Sequence, residues 1–182
     1  MEYEKKQDIH EEVSEVRVAI DTYDDIFSDF DPRPDSVRGF SQDFLVEAER
    51  AVMSKNSERI NFVIMIEKEK RNLGEETTIN NRLKKYFSKY YEIMKKKKKK
   101  VIKKGIFFTV AGIILMFAAT FLLFKFRQES ILTSFFVILL EPGGWFLFWK
   151  GLELVLFEAK DATPDLKFYE RMVNSSIRFD SA

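Results

Sequence analysis

The chain has 182 residues, 46% of them apolar and 32% charged, and a formal net charge of +1. It has no cysteine, which excludes disulfides, iron–sulfur ligation and thiol chemistry, and one histidine, His10, which excludes a histidine-rich zinc site. Charge is segregated: residues 105–124 carry none and residues 130–149 carry one, Glu141.

Residues 1–12 form an acidic tail. The first twenty residues are charged where a signal peptide has its apolar core, so the expectation is that the N-terminus is retained. An α/β domain is expected over 13–74. In VRVAI, Val16, Val18 and Ile20 alternate with Arg17 and Ala19, the period of a half-buried strand. A turn-rich segment follows. Ser41 then precedes a helix with Phe44, Leu45, Ala48 and Val52 at three- and four-residue spacing. RINFVIMI is a nearly continuous apolar run of strand length, suited to a strand covered on both faces. Strand, helix, strand implies a parallel pair joined by a crossover.

Residues 75–104 read as a basic helical neck, with Ile79, Leu83, Phe87, Tyr90, Met94 and Val101 on one stripe. The stripe packs either on this chain's own sheet or on the neck of another subunit. From residue 78 to residue 124 the neck and first span would measure roughly 70 Å if fully helical. A transmembrane hairpin is expected over 105–158. The run 105–124 matches a hydrocarbon core of about 30 Å, and 130–149 is a second span interrupted by Glu141-Pro142-Gly143-Gly144. Lys125 to Glu129 connect them. A re-entrant second segment, folding back at Pro142, is the alternative topology. Residues 159–182 supply a helix with Pro164 in its first turn and a terminal strand, SSIRFDS, that returns to complete the sheet. The fold class is thus a small cytoplasmic α/β domain with an inserted two-helix membrane hairpin on a long neck.

Residues 1–66 sum to −8 and residues 67–104 to +10. Lys95, Lys96, Lys97, Lys98, Lys99, Lys100, Lys103 and Lys104 flank the first span and, by the positive-inside rule, hold that flank and both termini in the cytoplasm, at the inner membrane of the cell. They suit anionic lipid headgroups. Nucleic acid is not expected, because the run has no stacking aromatics and no groove.

Asp21, Asp24, Asp25, Asp29 and Asp31 lie within eleven residues. They are read as turn and ion-pair residues facing Arg33 and Arg38, with a divalent cation as the alternative; the spacing lacks the EF-hand pattern. Glu141 falls near mid-span, where a carboxylate is costly. It either holds the interrupted helix together or lines a polar path formed by several subunits. Trp145, Trp149, Lys150 and Glu153 read as an interfacial anchor, or else as a subunit contact. No phosphate-binding, nucleotide, nucleophile-elbow or zinc-hydrolase motif occurs, so no catalytic residue and no cofactor is assigned.

At DIFSDFDPRP and at Gly144-Trp145-x-x-x-Trp149-Lys150-x-Leu152-Glu153 the chain resembles a family of small prokaryotic two-helix membrane proteins. Gly151 stands where the resemblance places a proline. The resemblance implies architecture and brings no activity with it. The expectation is a homo-oligomeric, non-enzymatic membrane protein presenting α/β heads, to which an unidentified cytoplasmic protein would bind. An ion or proton conductor lined by Glu141 is the alternative, and a metal-dependent enzyme using the aspartates a further one.

Overall fold

The computed structural model describes residues 13–34, 37–126 and 131–182. The acidic tail with His10, and residues 127–129 of the connection between the two spans, lie outside the described residues. Two compact units divide the chain, one containing 13–91 and 167–182, the other 92–166.

In the first unit, β1 (Ser14–Ala19), β2 (Ile60–Ile66) and β3 (Ser176–Ser181) form a parallel sheet in the order β1-β2-β3. The C-terminal strand therefore pairs with β2, and both apolar helices lie between those two strands in sequence. Helices α1 (Gln42–Met53), α2 (Leu73–Phe126) up to Tyr91, and α5 (Thr163–Asn174) from Lys167 bring their apolar residues to the sheet. Val16, Ile60, Phe62, Ile64, Ile177 and Phe179 from the strands join Phe44, Ala48, Val52, Ile79, Leu83, Phe87, Phe168 and Met172 in one core. The first half of the neck stripe thus packs on its own sheet.

Among the described residues, the helices that join this core meet the Ile60–Phe62–Ile64 face of β2. Val63, fully buried, is outside that core and sits between Arg17 of β1 and Arg178 of β3 in the sheet register. Glu15 accepts from Arg17 at 2.5 Å and from Arg178 at 2.7 Å, so an ion-pair bridge between the edge strands crosses the face that Val63 occupies.

The start of α2 lies earlier than the apolar stripe indicates. Asn72 Oδ1 accepts the backbone N–H groups of Gly74 and Glu75, and its amide donates to Glu75, which satisfies donors that the first turn leaves open. Beside it, the nearly buried Glu76 accepts from Arg71 at 2.8 and 3.0 Å and from the Tyr23 hydroxyl at 3.1 Å.

The second unit holds the rest of α2, α3 (Ile131–Glu153), a single π-helical turn at Leu154–Glu158, α4 (Ala159–Asp161) and the start of α5. Both Leu73–Phe126 and Ile131–Asp161 are long and apolar enough to cross a membrane, and only 11% of the most apolar window of each is buried. The core helix of a soluble protein would be mostly covered. α3 runs unbroken through Glu141-Pro142-Gly143-Gly144. The departure from α-helical geometry comes instead at the π turn, ten residues beyond the expected interruption.

Candidate functional site

Four glycines set the spacing of the hairpin. A Cβ added to Gly112 would lie 2.5 Å from the Phe148 nitrogen and 2.6 Å from the Gly144 carbonyl oxygen. One on Gly144 would meet the Gly112 carbonyl at 2.9 Å, and one on Gly105 the Gly151 carbonyl at 2.9 Å. Gly105 faces Gly151 and Gly112 faces Gly144, two pairs in one antiparallel register, seven residues apart on each helix. The next pair in that register is Ala119 and Val137, both buried. Sequence reasoning passed over these glycines, although their common seven-residue spacing was visible.

The register fixes depth. It places Glu141 level with Leu115, ten residues along from Gly105, about 15 Å at 1.5 Å per residue and midway along the apolar run 105–124. At that level Glu141 is exposed on the outside of the helix pair and has no hydrogen bond or ion pair among the described residues. No group of this chain's described residues is placed to satisfy it. Pro142, which follows, has no N–H to offer the Ile138 carbonyl, so two acceptors lie close together at this depth. A Cβ on Gly143 would meet nothing within 4 Å.

Trp145 and Trp149 continue outward from Glu141 at four-residue spacing, 52% and 56% exposed, with ring centroids 5.6 Å apart. Lys150 donates to Glu153 at 3.0 Å and to Glu158 of the π turn at 3.5 Å. The register sets Trp149 level with Phe107, near the lysine-flanked end of the first span.

Of the eight lysines, Lys98 donates to Thr163 at 2.9 Å and Lys104 lies 5.6 Å from the Phe108 ring centroid. Lys96, Lys97, Lys99, Lys100 and Lys103 are exposed, with no partner among the described residues. Consecutive lysines at 100° per residue point all round the helix, forming a collar and not a face.

The structure disperses the aspartates. Asp25 accepts the N–H groups of Asp21 and Thr22, and Asp24 and Asp29 each pair with Arg38 at 3.1 Å. Asp31 accepts from Gly39 N–H at 2.7 Å and from Arg33, whose guanidinium holds its carboxyl well below the usual range. Among the described residues no cluster of three or more acidic or histidine side chains is placed to hold a cation. No family model, curated protein or solved structure matches the chain.

Proposed function

We propose that this chain is a non-enzymatic integral membrane protein that assembles with copies of itself, anchored by the α2–α3 hairpin with its sheet unit and both termini in the cytoplasm. The single observation that carries this reading is Glu141, an exposed carboxylate at mid-span depth with no partner among the described residues. Lipid tails offer it no hydrogen bond, and intramembrane carboxylates face protein or water. A second copy inserted in the same orientation brings polar groups near that depth, the Trp145 indole N–H about one helical turn outward among them. The lysine collar is read as the contact with anionic headgroups that orients each subunit.

The test is the mass of the detergent-solubilised protein. The wild type is expected to be oligomeric, Glu141→Gln to stay so because an amide both donates and accepts, and Glu141→Leu to shift toward monomer. A monomeric wild type overturns the reading. The exposure of Glu141 also favours a second reading, a proton or cation path lined by this residue from several copies. That reading requires ion flux in liposomes that Glu141→Gln abolishes; flux unchanged by the substitution removes it.

A further inference from the structure

A second unmet polar group stands beside Glu141 on α3. The Trp145 ring stacks on Phe148 and Trp149, with centroids 6.0 and 5.6 Å away, and its indole N–H has no acceptor among the described residues. At 100° per residue Ile138, Glu141 and Trp145 lie within about 60° of one another, and all three are exposed. The glycine register sets Trp145 level with Ala111, six residues or about 9 Å inside the lysine-flanked end of the apolar run. An interfacial tryptophan turns its N–H to headgroups and water, as Trp149 is placed to do; Trp145 lies one turn deeper, where an indole N–H needs a protein partner. One face of α3 therefore carries an acceptor and a donor, four residues or about 6 Å apart along the axis.

The other helix of the hairpin offers neither group a partner. Between Thr109 and Thr120 every side chain of α2 is apolar, apart from Gly112, which has none. The two threonine hydroxyls, about 9 and 7.5 Å along the axis from the level of Glu141, donate to the Gly105 and Met116 carbonyls of their own helix. A second copy that presented α2 to this face would leave the carboxyl and the indole as unmet as they are in one copy. A second copy that presents α3 supplies both. With the two α3 helices side by side in one orientation about a two-fold axis along the membrane normal, Trp145 of each stands one turn outward from Glu141 of the other, so the exchange is reciprocal. Packed helix axes lie about 8–10 Å apart, a gap that an indole and a glutamate side chain together span.

We propose that copies of the chain meet α3 to α3 along Ile138, Glu141 and Trp145, with the Trp145 indole N–H of each copy donating to the Glu141 carboxyl of the other. This rests on the self-assembly reading and names the face that makes the contact. The absence of cysteine allows a direct test. Ile138→Cys, Leu139→Cys and Ile114→Cys are each expressed in the full chain and oxidised in the membrane. The three residues are similarly exposed, 71%, 58% and 60%, but Leu139 points about 100° away from Ile138, and Ile114 is on α2 level with Pro142. Ile138→Cys is expected to give a disulfide-linked dimer at ten or more times the yield of either control. In detergent, Trp145→Phe keeps an aromatic ring and removes the N–H, and is expected to weaken association about tenfold through the loss of both interhelical hydrogen bonds. In a preparation whose wild type is oligomeric, a yield from Ile138→Cys no higher than that of a control, or a Trp145→Phe variant that associates as tightly as the wild type, overturns this contact alone. A monomeric wild type overturns it together with the self-assembly reading.

Discussion

Gly112→Ala and Gly143→Ala make the same chemical change at almost the same level of the folded hairpin, on its two helices, with opposite expected outcomes. At Gly112 the new methyl lies 2.5 and 2.6 Å from backbone atoms of α3, whereas ordinary contact begins at 3.4 Å. The shortfall is 3.4 − 2.5, or 0.9 Å. The obstructing atoms belong to a helix backbone, so no side chain is able to turn aside and the helices must part. Overpacking of this kind costs about 1–3 kcal/mol. At Gly143 the methyl meets nothing within 4 Å, and the helix gains up to about 1 kcal/mol from replacing glycine by alanine. The same propensity gain applies at Gly112, so the two variants should differ by the overpacking alone, about 1–3 kcal/mol, which at 2–4 °C per kcal/mol is roughly 2–12 °C in Tm. The assay is thermal unfolding in one detergent, followed by circular dichroism. Equal Tm values for the two variants would refute the seam.

Glu76→Gln should destabilise the sheet unit by about 1–3 kcal/mol, because it leaves Arg71 without its carboxylate partner; urea unfolding followed by tyrosine fluorescence reads this. The Arg71 hydrogen bonds lower the Glu76 pKa in the fold, so its contribution is complete above the ordinary glutamate value and is lost as pH falls through the depressed folded value; stability that dropped instead on raising the pH through neutrality would contradict this. Asp31 follows the same sign. The Gly39 amide should stay protected as pH falls through the usual carboxylate range and open only below it, and hydrogen exchange at Gly39 that accelerated near the ordinary aspartate pKa would disprove the Arg33 and Gly39 contacts. Arg82→Ala should cost about 1 kcal/mol and loosen the loop around Phe30, read as faster exchange at Ser28 and Ser41, whose N–H groups close its base.

The elements most legible in the sequence were those whose signal is local. The β2 run and the amphipathic stripe of α1 lie where periodicity placed them, and the two apolar runs form helices long enough to span. What the sequence hid depends on pairing between distant residues. Val63 is buried on a face crossed by a Glu15–Arg178 bond between residues 163 apart, which no window around β2 contains. The Glu141-Pro142-Gly143-Gly144 segment reads as a break because its proline and two glycines disfavour a helix in water. In the fold Gly144 is held against Gly112, and the helix continues. The DIFSDFDPRP segment reads as turn and ion-pair residues with a cation site as the alternative; the pairing of Asp24 and Asp29 with Arg38, nine or more residues downstream, is not visible in a local window.

The position of Glu141 follows from the glycine seam. Three residues before Gly144, it lies about 60° round the helix from the line of contact, with Trp145 and Trp149 farther round in the same sense. Where a Cβ at Gly112 is already 0.9 Å too close to the opposing backbone, a carboxylate has no room, so the packing that closes the hairpin keeps Glu141 at its rim. A looser hairpin with larger residues at 112 and 144 would leave space for the carboxyl between the helices, where the Thr109 or Thr120 hydroxyl comes closer to it. Those hydroxyls donate instead to the Gly105 and Met116 carbonyls of their own helix. Tight packing within one copy and an unmet acceptor on its surface therefore have one cause, and relaxing the seam with Gly112→Ala should weaken self-association as well as stability.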